Sequence, residues 1–236
     1  MVDFTGGTWR SLIDGQEVSA IPDTENLQIR FAADEGVISN GTQAVDGDEV
    51  DTWEEISGQT SDLDGFGSPT FNESGQNDLP IIECRSGDRL EHTESVNIGS
   101  GPWEVWLAFS LSSSSGTQLF FDGEDDAGNR ASNIRTDSGS WAFFNGSQVS
   151  GGSVDTNAHI LRGVFDGTNS TFEIDESEIA SGDAGGRAWD QSVSVADAVG
   201  GGNPTDIDIF EILVYKNRDN DRSSDIYAHL DRWGIL

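Results

Sequence analysis

A formal charge of -31 on 236 residues limits what this chain can become more than any other property. Aspartates and glutamates number 43 against only 12 lysines and arginines, and Lys216 is the single lysine. At ordinary salt, repulsion on this scale erodes a compact state, whereas molar salt shortens the screening length to about 3 Å and removes most of the penalty. The composition therefore points to brine as the working solvent. Low hydrophobicity with high net charge also marks disordered chains. Seven tryptophans and twelve phenylalanines decide against that, because so many large aromatics can bury a core. The length suits one all-β domain.

Several function classes fall away. Cys84 is the only cysteine, so no intramolecular disulfide forms. The opening MVDFTGGTWRSLIDG has no basic n-region and no apolar h-region, and no apolar run of about 18 residues follows. Neither Sec export nor membrane insertion is expected. Nor is nucleic-acid binding, since there is no basic stripe to displace counterions.

Residues 1–26 are polar and irregular, with Trp9, Leu12, Ile13, Val18 and Ile21 too widely spaced for a helix or strand, and read as an N-terminal arm. It either packs back on the domain or docks to a partner. From Leu27 to Leu236, short apolar or alternating runs recur between Gly, Ser, Asp and Asn clusters, the mark of an antiparallel sandwich. The clearest strands are Leu27 to Phe31, Pro80 to Cys84, Trp103 to Leu111, Gln118 to Phe121, Trp141 to Phe144, His159 to Phe165, Thr171 to Ile174 and Ile207 to Tyr215. Asn145-Gly146 and Asp166-Gly167 supply turn chemistry. Only the end reads as helix. Asp219 or Asp221 offers an N-cap, Ile226, Leu230 and Trp233 form one stripe, and Gly234 terminates it.

The closing run IDIFEILVYKNRDNDRSSDIYAHLDRWGIL resembles the final strand and helix of concanavalin A-like, laminin G-like jelly-roll domains, through Glu211 to Tyr215 and Trp233-Gly234-Ile235. Three earlier segments agree in order: DGDEVDTWEEISGQTSDL, with Glu54 and Glu55 where an Asp is usual; LPIIECRSGDRLEH, departing at Cys84, Arg85 and Arg89; and HILRGVFDGTNSTFEIDESEIASGD, with Glu176 in place of a glycine. The resemblance implies an all-β antiparallel jelly-roll sandwich with a short C-terminal amphipathic helix over residues 27–236. It specifies fold rather than activity. The excess of arginine over lysine, the scarcity of Cys and Met and the scattered acids resemble proteins of salt-loving archaea. The stretch GGTWRSLIDGQEVSAIPD is similar to the openings of structural proteins in tailed viruses of such hosts.

Candidate chemistry is sparse. Glu173, Asp175 and Glu178 spell E-I-D-x-x-E, similar to the motif of retaining glucanases of this fold, which need two carboxylates about 5–5.5 Å apart. In a regular strand Glu173 and Asp175 share a face and Glu178 points away unless a bulge re-aims it. The competing reading, a solvent-facing acidic hairpin, is favoured because acids are so common here. Asp122, Glu124, Asp125 and Asp126 form a candidate calcium loop, set against a solvated acidic loop. Trp103, Trp106 and Trp141, with Phe143 and Phe144, are candidates for sugar stacking; Trp103 and Trp106 fall on opposite strand faces, so only one need be core. Cys84 reads as a small core residue. His92, His159 and His229 are dispersed, with His229 read as surface. Gly200 to Gly202 with Asn203 and Pro204 precede a strand, so they read as a flexible loop rather than a phosphate cradle. Asn40, Asn72, Asn145 and Asn169 begin sequons in loop-like text.

The resemblance favours a non-enzymatic virion surface protein of a haloarchaeal virus, a turret, decoration or tail component that attaches to host glycans. Its expected partners are other virion structural proteins, copies of itself as a homo-oligomer, and surface glycans or glycoproteins. The alternatives are a carbohydrate-binding or adhesion module of a halophilic cell and a retaining glycosidase. No cofactor is required beyond the candidate calcium. If brine is the solvent, the melting temperature rises as salt goes from about 0.1 M to molar levels. A melting temperature that stays flat or falls across that range contradicts the brine reading.

Overall fold

A computed structural model of the chain describes residues 21–85, 87–218 and 222–236, together with the backbone of two short strands before them. Those strands, β1 (Leu12–Ile13) and β2 (Gln16–Glu17), pair with each other. Then follow β3 (Leu27–Ala32), β4 (Val37–Ser39), β5 (Thr42–Gln43), β6 (Thr52–Trp53), β7 (Leu63–Phe66), β8 (Thr70–Gln76), β9 (Leu79–Cys84) and β10 (Arg89–His92). The second half carries β11 (Trp103–Leu111), β12 (Leu119–Glu124), β13 (Arg130–Asp137), β14 (Ser140–Phe144), β15 (Gln148–Gly151) and β16 (Ala158–Phe165). It closes with β17 (Ser170–Ile174), β18 (Ser177–Gly182), β19 (Gln191–Val195), β20 (Ile207–Lys216) and helix α1 (Ser223–Leu230).

Two antiparallel sheets stack as a sandwich. The back sheet runs β18-β17-β16-β11-β20-β9-β8, with β3 also pairing β20; the front sheet runs β15-β14-β13-β12-β19-β10-β7-β6-β4-β5. The expected all-β sandwich with one C-terminal helix is therefore present. Each of the eight expected strands forms, with ends shifted by a few residues. Strands β4 to β8, β10, β13, β15, β18 and β19 carried no clear sequence signal because most are short or rich in polar residues. β13, RASNIRTD, gives the apolar core only Ala131 and Ile134, the rest of its text being polar.

Alternation explains the core. On β11 the inward residues Trp103, Val105, Leu107 and Phe109 face β12, β14 and β19, where Phe109 stacks on Phe120 with ring centroids 5.4 Å apart and meets Trp141 edge-on at 5.9 Å. Trp53 on β6 crosses between layers: its indole N–H donates to the Ala32 carbonyl on β3 at 3.0 Å, and its ring lies 5.3 Å from Phe31.

The outer face of the back sheet is not solvated. Its register places Glu104 beside Tyr215, Trp106 between Arg162 and Leu213, and Ala108 beside Glu211. Helix α1 lies over this row and buries Ile226, Tyr227, His229 and Leu230; Trp233 follows, and Gly234 ends the segment with a φ of 67°. The N-cap position is Arg222 without a side-chain cap bond, while the expected caps Asp219 and Asp221 lie outside the described residues. His229, expected at the surface, is 1% exposed, because the sheet beneath α1 supplies Glu211 as its partner. Of the expected arm, residues 1–20 lie outside the described side chains. The rest packs on the sandwich: the Tyr215 hydroxyl donates to the Pro22 carbonyl at 2.9 Å, and Arg222 pairs with Asp23.

Two ionic clusters fill the space under α1. Glu211 accepts from Arg30 Nε at 3.1 Å, Arg232 Nη2 at 2.7 Å and the His229 ring at 3.0 Å. Glu104 accepts from Arg162 at 2.9 Å and from the Trp106 indole at 3.1 Å, with Arg222 at 3.6 Å. Burial alone pushes the Glu211 carboxyl up, but His229, Arg232 and Arg30 outweigh it and hold the group below the ordinary carboxylate range. Removing one partner from such a site leaves uncompensated buried charge. Glu211→Ala is therefore expected to destabilise the fold by about 3–5 kcal/mol, and, because buried charges are little screened, to do so in molar salt as well. Chemical denaturation at low and molar salt measures it; a loss below about 1 kcal/mol contradicts the assignment.

Candidate functional site

Residues flagged in the sequence end up in several places. The run Glu173 to Glu178 is a two-residue β-hairpin. Asp175 and Glu176 both adopt positive φ, 49° and 63°, the backbone of a type I′ turn, and join β17 to β18. This turn resets the strand count, so Glu173 and Glu178 become cross-strand neighbours and Asp175 sits at the tip: the run is the hairpin favoured from the sequence, not a continuous strand with Glu173 and Asp175 on one face. Both have structural partners. Glu173 accepts from Arg162 at 3.1 Å and from the Tyr227 hydroxyl at 3.2 Å, while Asp175 accepts from the Ile160 amide at 2.9 Å and pairs with His159 Nδ1 at 2.7 Å.

The acidic loop does not gather its carboxylates. Asp125 caps its own turn, accepting from the amides of Ala127 and Asn129 at 3.0 and 2.8 Å, and Asp126 accepts from Gln191 at 3.1 Å. Asp122 lies on β12, buried against Asn133 (3.1 Å), the Val199 amide (3.2 Å) and Arg130 (3.6 Å), and burial pushes its carboxyl up to about 6; burial also raises Glu124. Among the described residues no three His, Cys, Asp or Glu side chains converge as a metal cage. The glycine run expected to be a free loop is instead pinned over the front sheet, where the Gly200 amide donates to Glu91 at 2.8 Å and that of Asn203 to Asp197.

Trp103, Trp106 and Trp141 are all buried, so none offers a ring to a sugar. Opposite faces do separate Trp103 from Trp106, as expected; α1 covers the second, Tyr227 meeting it edge-on at 5.0 Å. Phe143 is core and Phe144 half-buried beneath Arg135 and Arg187. Cys84 is fully buried, as expected, and burial pushes its thiol pKa up. His92 lies on β10, half-buried. Asn40 and Asn169 are exposed and Asn72 half-buried, but the fourth sequon residue, Asn145, is only 2% exposed.

Asn145 instead lines a cavity of about 290 Å³ at the rim where loops from both sheets meet. Its wall is built from Ser100 and Gly101 before β11, Asn145 after β14, Phe165 to Thr168 after β16, and Gly185 with Gly186 before β19. The loops are clamped together: the amides of Asn145 and Ser147 both donate to the Ala184 carbonyl at 2.9 Å. Only glycine fits at 185, whose φ is +93° and where a Cβ would stand 2.0 Å from the Asn145 carbonyl oxygen. Phe165 is held between Trp103, stacked at 4.0 Å, and Phe143, edge-on at 5.2 Å. The carboxamide oxygen of Asn145 is buried with no hydrogen-bond partner. Asp166, a third exposed, lies 4.0 Å from Arg218. Sequence reading found Asn145-Gly146 and Asp166-Gly167 as turns; that they face each other follows from long-range pairing that local text does not carry.

No protein-family model matches the chain, and no curated protein matches it. Its fold is similar to solved structures. A Trypanosoma rangeli sialidase in complex with sialic acid superposes with a TM-score of 0.63 at 10% identity, over 97% of this chain and 36% of the sialidase. Domain 4 of AbnA, an extracellular arabinanase of Geobacillus stearothermophilus, in complex with arabinotriose, gives 0.60 at 14% identity, covering 86% of this chain and 98% of that domain. A structure described with the cell entry of botulinum neurotoxin type C, dependent on two ganglioside molecules, gives 0.61 at 12% identity, covering 88% and 52%. The chain thus spans about a third of the sialidase. At these identities the likeness establishes the sandwich fold.

Protonation of His159 is tied to the Asp175 turn. Burial disfavours the charged ring, but Asp175 and Asp155 outweigh it and raise the pKa above its ordinary value of 6.5. A raised histidine stabilises fully below about pH 6.5, and the contribution is lost as pH climbs through the folded-state value. The melting-temperature gap between the parent protein and His159→Gln is therefore expected to be larger at about pH 6 than at about pH 9. A gap that does not change with pH contradicts this pairing.

Proposed function

We propose that this chain is a glycan-binding β-sandwich module that binds without hydrolysing, and that the rim cavity holds the sugar. One observation carries the reading: an open cavity whose wall brings the polar side chains of Ser100, Asn145, Asp166 and Thr168 together with four glycines. At about 290 Å³ the cavity lies at the small end of ligand sites, about 300–1,000 Å³, which suits one sugar ring rather than an extended chain. Gly101, Gly167, Gly185 and Gly186 let that ring approach the backbone closely. The arabinotriose and sialic acid complexes among the structural neighbours support a carbohydrate ligand.

The non-enzymatic part rests on the carboxylates. Glycoside hydrolysis in its common form needs two, and among the described residues Asp166 alone lines the cavity with a carboxylate; Glu173 and Asp175 are engaged in the back sheet and its hairpin. The setting we propose, display in several copies on a virion surface in brine, follows from the sequence resemblance; multiple copies raise avidity for a weak sugar site. A particle inventory by mass spectrometry tests that setting.

A glycan array in molar salt tests the binding. Asn145→Ala is expected to weaken the bound glycan at least about tenfold while leaving the melting temperature nearly unchanged. Gly186→Trp provides an independent check, since no atom stands within 4 Å of a Cβ there. The bulky ring is expected to fill the cavity and abolish binding in a folded protein. Undiminished binding by both variants contradicts the assignment.

A further inference from the structure

Resting on the glycan reading, we infer that the rim cavity selects neutral sugars and rejects those bearing carboxylate, sulfate or phosphate groups. The reason lies in what its side chains offer. Ser100, Asn145, Asp166 and Thr168 are the polar ones, and none of the described residues of the wall is a lysine or arginine. Asp166, a third exposed, presents a carboxylate. Ligand hydroxyls that donate satisfy it.

An anionic group entering here meets this carboxylate and loses water without gaining a cation from the wall, which is costly in a confined site. Two guanidinium groups beside the wall already hold protein partners. Arg218 pairs with Asp166 and donates to the Asn169 carbonyl at 3.0 Å; Arg187 donates to the Arg130 carbonyl at 2.9 Å and lies over Phe144. The neighbouring sialidase, by contrast, was solved with an acidic sugar.

Local rejection separates cleanly from repulsion by the whole chain. The -31 charge acts over distances that molar salt screens, whereas a group inside the cavity lies within about 3 Å of its partners. Discrimination caused by the cavity therefore persists in about 3 M salt. The test is an array printed with neutral oligosaccharides and with sialylated, uronic and sulfated counterparts of the same scaffolds, probed in ~3 M and in ~0.5 M NaCl.

The expected result is neutral binding with acidic counterparts at least about tenfold weaker at both salts, and a narrowing of that ratio to about threefold in Asp166→Asn. Asp166→Asn keeps the backbone bonds to Ser170 and Asn169 and gives up only the 4.0 Å pairing with Arg218, so this variant leaves the loops in place. Acidic counterparts that bind as well as neutral ones in high salt overturn the inference and leave the glycan reading standing. A ratio unchanged in Asp166→Asn overturns the role of that carboxylate. An array with no bound glycan overturns the glycan reading itself.

Discussion

The buried ionic contact between helix α1 and the back sheet is the interaction on which the rest of this structure depends. A sandwich ordinarily solvates the outer face of each sheet. Here Glu104, Trp106, Arg162, Glu211 and Tyr215 project from that face and are sealed by the helix. Buried carboxylates are costly without cations, and this chain has only eleven arginines to supply them. Four of those, Arg30, Arg162, Arg222 and Arg232, lie in the two clusters beneath α1. Ion pairs withdrawn from solvent keep their strength in molar salt, where exposed pairs lose most of theirs.

That allocation shapes the rest of the surface. With four arginines held under the helix, the described residues of the rim cavity wall are polar and glycine-rich, and Arg187, next to Gly186, is turned to the Arg130 carbonyl. Their spacing is set from below by aromatic packing: Phe165 forms part of the cavity wall while lying against Trp103 from its own sheet and Phe143 from the facing one. Any change that slides one sheet over the other therefore alters the cavity. Local sequence requirements, such as the positive φ of Gly185, are consequences of how closely the loops must pass.

Much of the fold was legible because the long central strands β11, β16 and β20 are rich in apolar and aromatic residues and the closing helix carries an apolar stripe. The short strands of the front sheet were not, since text such as TQ or LDGF acquires its conformation from partners far along the chain. Burial was harder to read than pattern. Trp106 was correctly placed on the face opposite Trp103, yet nothing local announces that α1 covers that face. His229 was misjudged for the same reason. The carboxylate motif Glu173 to Glu178 falls at a hairpin, as the jelly-roll resemblance implies, with two consecutive left-handed residues, Asp175 and Glu176, forming its turn. The cavity stayed invisible because its members are four loops joined only in three dimensions. Asn145, which resembled a glycosylation site, is buried there with its oxygen unmatched.

The central claim is that a sugar occupies the rim cavity. Amide chemical-shift mapping on the ¹⁵N-labelled protein in molar salt, titrated with a neutral oligosaccharide identified by array, tests it most directly. Saturable shifts confined to Ser100, Gly101, Asn145, Asp166 to Thr168, Gly185 and Gly186 are the predicted result. Shifts centred on the front-sheet face around Asp122 and Glu91, with the rim unmoved, contradict the claim.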